Sequence, residues 1–200
     1  MKKIGFLICL WSLAGILTTE IHAQLWGPQA GGVIYKISPN GRYVTGMTQA
    51  SNGNGFVWDT QSNVFETLGQ AVYPHGITDD RMIAANNRYR EPDASEWNTL
   101  GDGVWLWQVT PDGQTVAGHL ADATGATAPY SWSRNATGGW TAKGWTHPDS
   151  IRQGAIYDIS GDGQTAVGYV HISNRVAILW RSPDSAYELP FSTGAYSEYF

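Results

Sequence analysis

Short runs of alternating apolar and polar residues recur along the chain, each broken by a turn. No stretch of ten or more residues carries helical periodicity. This pattern predicts strands rather than helices. One polar break repeats: Ile37-Ser38-Pro39-Asn40-Gly41, Ile77-Thr78-Asp79-Asp80, Val109-Thr110-Pro111-Asp112-Gly113 and Ile159-Ser160-Gly161-Asp162-Gly163. Three copies run on to a glycine nine residues after the aliphatic, at Gly46, Gly118 and Gly168. Asp or Asn beside Gly tolerates positive φ and bonds its own backbone, so each phrase is read as the hairpin turn between two strands.

Two further strands complete each unit. A third ends in tryptophan, at Trp58, Trp132 and Trp180. A fourth is expected at 64–68 and 186–189. The second copy is shorter in its turn, its third strand is expected to be degenerate around Trp97, and 91–95 reads as loop. Extra sequence in the third copy, 135–139 and 144–150, is expected to form loop on one rim. The predicted fold is all-β: a β-propeller-like array of about four four-stranded repeats at approximately 31–70, 71–101, 102–150 and 151–190. It is either a small closed propeller or part of a larger one. Residues 191–200 fit no repeat.

The first residues read differently. Lys2 and Lys3 precede an apolar run over 4–17, and Ala23 offers a small residue before a cut. Residues 1–23 are therefore read as a secretory signal peptide cleaved before Gln24, leaving 24–200 as a single domain without a transmembrane segment. Export to the outside, the periplasm or the cell surface follows. The one cysteine, Cys9, lies in that leader, so the remaining fold rests on no disulfide. Seventeen acidic residues face twelve basic ones, a net charge of −5, and no basic patch suited to nucleic acid is evident.

The repeat resembles the extracellular family named for its His-Ala-Phe signature. The likeness is carried by Leu68-Gly69 through Ile77-Thr78, by Val109 through Gly118, and by Ile159 through Gly168 with Ala177-Ile178-Leu179-Trp180. The resemblance implies export and β structure, and it carries no catalytic residue across.

Candidate chemistry is sparse. Each turn offers one Asp or Asn, whereas calcium needs six to eight oxygens, so the turns are read as folding elements. No histidine pair has metal-ligand spacing, and no nucleophile elbow or phosphate-cradling loop occurs. No cofactor is expected. Two aromatic groups stand out. Tyr35, His75, Trp107 and Tyr157 each precede the repeated aliphatic by two residues, and would form a ring lining a propeller axis. Their alternative is packing between blades. Trp140 and Trp145, with His147, lie in the third copy's extra sequence, expected to be loop, where binding residues concentrate. Their alternative is loop packing. Aromatic rings stack on sugars and anchor protein interfaces. The sequence therefore points to a secreted, non-enzymatic protein that binds a glycan or a protein partner. A small polysaccharide-acting hydrolase or lyase and a structural fragment of a larger surface protein are the alternatives.

Overall fold

A computed structural model describes residues 32–49, 53–147, 153–172 and 174–189. The proposed leader, its cleavage site and residues 191–200 lie outside them. Among the described residues, sixteen strands form four antiparallel sheets. The first holds β1 (Val33–Ile37), β2 (Tyr43–Met47), β3 (Asn54–Asp59) and β4 (Val64–Gln70). The second holds β5 (Pro74–Ile77), β6 (Ile83–Ala85), β7 (Arg88–Arg90) and β8 (Asn98–Thr99). The third holds β9 (Val104–Val109), β10 (Thr115–Ala121), β11 (Thr127–Arg134) and β12 (Trp140–Gly144). The fourth holds β13 (Gly154–Ile159), β14 (Ala166–His171), β15 (Arg175–Ser182) and β16 (Ser185–Glu188). Strand order follows chain order in every sheet, and the architecture is β-propeller-like, as the repeat pattern predicts.

The recurrent polar phrase closes the first hairpin of each sheet by one hydrogen-bond scheme. Ser38 Oγ donates to Asn40 Oδ1 at 2.9 Å and accepts from the Tyr43 amide at 3.0 Å, while the Arg42 amide donates to Asn40 Oδ1. Thr110 with Asp112, and Ser160 with Asp162, repeat the scheme. Thr78 and Asp80 make the shortened version, with the Met82 amide donating to Thr78 Oγ1. Asp162 shows the electrostatic consequence. The Ser160 hydroxyl, then the Gln164 amide, hold its carboxyl below the usual range.

Sheets pack face to face because alternate residues of each strand point to opposite faces. On the second strand, Ile83, Val116 and Ala166 face back toward the preceding sheet, Val44 takes the same face of the first sheet, and Thr45, Ala84, Ala117 and Val167 take the forward face. Thr45, Ala84 and Ala117 are fully buried against the next sheet. Val167, with no described sheet after it, is 39% exposed, and Tyr187, two strands across on the same face, is 49% exposed. The backward face of the first sheet likewise exposes Ile34, Ile37 and Phe65. Among the described residues, packed strand pairs join sheets one to two, two to three and three to four.

Three expectations need correction. The third strand of the second sheet is Arg88–Arg90, upstream of Trp97, which sits in the loop before β8. Hydrogen bonding places Arg90 opposite Ile83, where the other sheets place tryptophan opposite Val44, Val116 and Ala166. Trp140 is the first residue of β12, since the turn at 135–139 is short and returns the chain into the sheet. Gly144 is likewise strand, and Trp145 is core, because sheets three and four need an indole between them.

Candidate functional site

The four predicted ring residues share an irregularity that alternation could not show. In β1, Ile34 faces Gly46 and Lys36 faces Thr45, leaving Tyr35 without a partner. In β5, Pro74 faces Ala85 and Gly76 faces Ala84, leaving out His75. In β9, Leu106 faces Gly118 and Gln108 faces Ala117, leaving out Trp107. In β13, Ile156 faces Gly168 and Asp158 faces Val167, leaving out Tyr157. Each ring residue is thus the extra residue of a β-bulge, a device that re-aims a side chain and bends the strand.

The bulge explains the glycine of the repeat. It pushes a carbonyl of the first strand against the Cα opposite. A Cβ on Gly46 would stand 2.1 Å from Val33 O, one on Gly118 would stand 1.8 Å from Trp105 O, and one on Gly168 would stand 2.0 Å from Ala155 O. Only glycine fits such an approach. The second sheet has Ala85 there, and the corresponding Tyr73 carbonyl instead accepts from the His75 amide at 3.0 Å.

Bulged side chains from successive sheets meet because first strands lie beside first strands: β1 on β5, β5 on β9, β9 on β13. Tyr35 and His75 have ring centroids 4.6 Å apart, His75 and Trp107 4.4 Å, Trp107 and Tyr157 5.3 Å. The structure brings all four predicted residues into one continuous row. A second row flanks it. Tyr73 lies 6.1 Å from Trp105, Trp105 stacks on His119 at 6.3 Å, and Tyr169 lies 5.4 Å from Tyr157. Tyr73 and Trp105 precede the ring residues by two, and His119 and Tyr169 follow the repeat glycines. Sequence reasoning missed these four, although their fixed spacing from the glycines was available.

The rings of the row are half-buried, with Tyr157 the most open at 39% exposure. Burial pushes the His75 imidazole down to about 4 and lowers His119 as well. His119 Nδ1 accepts from Trp107 Nε1 at 3.3 Å, which requires a neutral ring. Burial, then neighbouring Tyr73 or Tyr169, raises Tyr35 and Tyr157. All four groups are therefore uncharged at neutral pH, and Arg175 over the Tyr169 ring stands at one end. Trp105 Nε1 is buried without a protein acceptor among the described residues.

The second candidate group has a different fate. Trp145 is 3% exposed, sits in the core between sheets three and four, and donates from Nε1 to Ser131 Oγ at 2.9 Å. Trp140 packs edge-on against Tyr89 at 5.3 Å, under the Arg134 guanidinium. His147 is buried, 3.4 Å from Glu188. Among the described residues no group of three or more His, Cys, Asp or Glu is placed to hold a metal ion, and no helix is long and apolar enough to cross a membrane.

Solved structures share this arrangement. The structure of putative TolB from Agrobacterium tumefaciens superposes on 80% of this chain and 62% of its own, with TM-score 0.60 and 14% identity. TolB from Acinetobacter baumannii superposes on 74% of this chain and 40% of its own, with TM-score 0.54 and 14% identity. The likeness is one of fold. The chain spans less than two thirds of the length of either. No family model and no curated protein matches it, so the His-Ala-Phe resemblance rests on the motif alone.

Proposed function

We propose that this chain is a secreted, non-enzymatic binding protein that holds a glycan along the aromatic row of its first strands. The observation that carries the reading is the bulge at each of Tyr35, His75, Trp107 and Tyr157. Four sheets spend a ladder hydrogen bond, and three spend a glycine, to present one ring each. Bulges recur beside functional sites, where they aim a side chain. An uncharged row of rings suits the apolar faces of neutral sugars. Export rests on the leader-like residues 1–23, in keeping with the His-Ala-Phe resemblance.

A protein partner is the second reading. It is favoured by the exposed apolar faces at Ile34, Ile37 and Phe65 and at Val167 and Tyr187, larger than scattered surface residues. The hydrolase or lyase alternative needs two carboxylates, or a histidine with a carboxylate, converging on the row. Asp158, beside Tyr157, is already engaged with the Gln108 amide at 2.7 Å and with the Ile159 N–H.

The test is calorimetric titration of the chain with neutral oligosaccharides such as cellohexaose and chitohexaose, on wild type, Trp107→Ala and Tyr157→Ala. Binding that both variants lose supports the row. No binding at millimolar concentration, or binding that both variants keep, sinks the glycan reading.

A further inference from the structure

Two departures of the second repeat from the other three meet at one place. The turn position held at positive φ by Gly41, Gly113 and Gly163 is held by Arg81, at φ 77°. The third-strand position held by Trp58, Trp132 and Trp180 is held by Arg90. An L side chain is disfavoured at that φ, and a guanidinium is disfavoured where an indole would be buried. Both departures run against the fold's own pattern, and such violations mark functional sites.

The two guanidiniums converge on Glu66 of β4. Arg90 Nη1 donates to Glu66 Oε1 at 2.6 Å, and Arg81 Nη2 pairs with Glu66 Oε2. They line a 490 Å³ cavity between the outer strand of the first sheet and the 91–97 loop of the second. Two features of the second repeat account for the space: an arginine stands where an indole would fill, and β8 has only two residues. Trp97 and Asp93 also line it, with Arg90 lying over the Trp97 ring at 5.4 Å. Glu91, also in the lining, is paired with Arg134.

One carboxylate shared by two guanidiniums balances only one of their two positive charges. Arg81 Nε is buried without an acceptor among the described residues. The planar fork of arginine matches the two oxygens of a carboxylate. We propose that this cavity binds a hydroxylated organic carboxylate. Its carboxylate accepts from N–H groups of Arg81 and Arg90, its hydroxyls donate to Asp93, and its carbon skeleton packs on Trp97. An acidic sugar residue and a free hydroxy acid share that chemistry. The site is on the outer strands, separate from the row of rings on the inner ones.

Calorimetric titration of the full chain with D-glucuronate, D-gluconate and D-glucose tests it. Glucuronate is expected to bind at least about tenfold more tightly than neutral glucose. Binding of gluconate as well would assign hydroxy acids in general, and binding of glucuronate alone would assign the acidic sugar. Arg81→Gly restores the residue of the other turns, so it is expected to keep or raise Tm while binding falls at least about tenfold. Arg81→Asn, which also tolerates this φ, serves as the second variant. A purely structural Arg81 would instead lower Tm on substitution. The proposal is overturned if neither acid binds at millimolar concentration, if glucose binds equally well, or if both variants bind glucuronate as wild type does.

Discussion

Trp107 and Trp145 are the same residue type, and both stood out as candidates, yet they end in opposite roles. Trp107 is the extra residue of a bulge, half-buried in a row of rings from successive sheets. Trp145 lies between two sheets with its N–H consumed by Ser131. The difference is local backbone geometry. Regular or loop backbone that delivers an indole to a sheet interface makes it core, whereas a bulge turns it away from both faces. Presentation, not aromatic content, separates a candidate site from packing.

The sharpest way to break this contrast is Gly118→Ala. The added methyl would meet a backbone carbonyl at 1.8 Å, and backbone cannot step aside as a side chain can. A loss of more than about 4 kcal/mol is expected in denaturant unfolding, with the bulge at Trp107 erased in any folded remainder. Unchanged stability would mean that the bulge is not what demands glycine.

Next comes the pair itself. Trp145→Ala empties a buried site and leaves Ser131 without its donor, for a cost of about 3–5 kcal/mol. Trp107→Ala is expected to cost about 1 kcal/mol, because its ring is half open, while removing glycan binding. Equal destabilisation by the two would return Trp107 to the core.

Acid should act on the row before it acts on the core. His75 falls from an ordinary 6.5 to about 4 on burial, so between those values the unfolded chain binds the proton and the folded one does not. Stability is therefore full above about pH 6.5 and declines as pH drops toward 4, by at most about 1.4 kcal/mol per pH unit for this group. The lowering of His119 adds in the same direction. Thermal melts of wild type and His75→Phe across this range check it, the variant being expected to show a shallower decline. A steeper or equal decline in the variant would contradict the assignment.

The smallest effect belongs to the turns. Asp112→Ala removes an acceptor for Thr110 Oγ1 at 2.7 Å and for the Gln114 amide at 3.0 Å, in an exposed loop. About 1 kcal/mol is expected, read from the denaturation midpoint, with no change in glycan binding. Loss of binding would show that the turns belong to the site.

Much of the fold was legible. Turn chemistry is local, so phrases of Ser or Thr followed two residues later by Asp or Asn located four first hairpins, and the tryptophan endings located three third strands. The second repeat's third strand was misread because Arg90 took the place of the tryptophan that marks it elsewhere. Of the candidate site, the row of Tyr35, His75, Trp107 and Tyr157 was legible as equivalent positions in a repeat. Its flanking rings at Tyr73, Trp105, His119 and Tyr169 were not, since nothing in a linear pattern says that two strands of neighbouring sheets will abut. Trp140 and Trp145 were misplaced because extra sequence in a repeat reads as loop, although only a short turn at 135–139 was needed to return to strand.

The sequence by itself determined the number of repeats, their all-β character, the hairpin turns and the residues placed at equivalent positions, because these depend on neighbours along the chain. The tertiary structure decided which equivalent residues are presented and which are buried. It also showed why Gly46, Gly118 and Gly168 recur and how Arg81 and Arg90 come to share Glu66. Those depend on bulge register and on sheets packing face to face, contacts between residues far apart in sequence that no local propensity encodes.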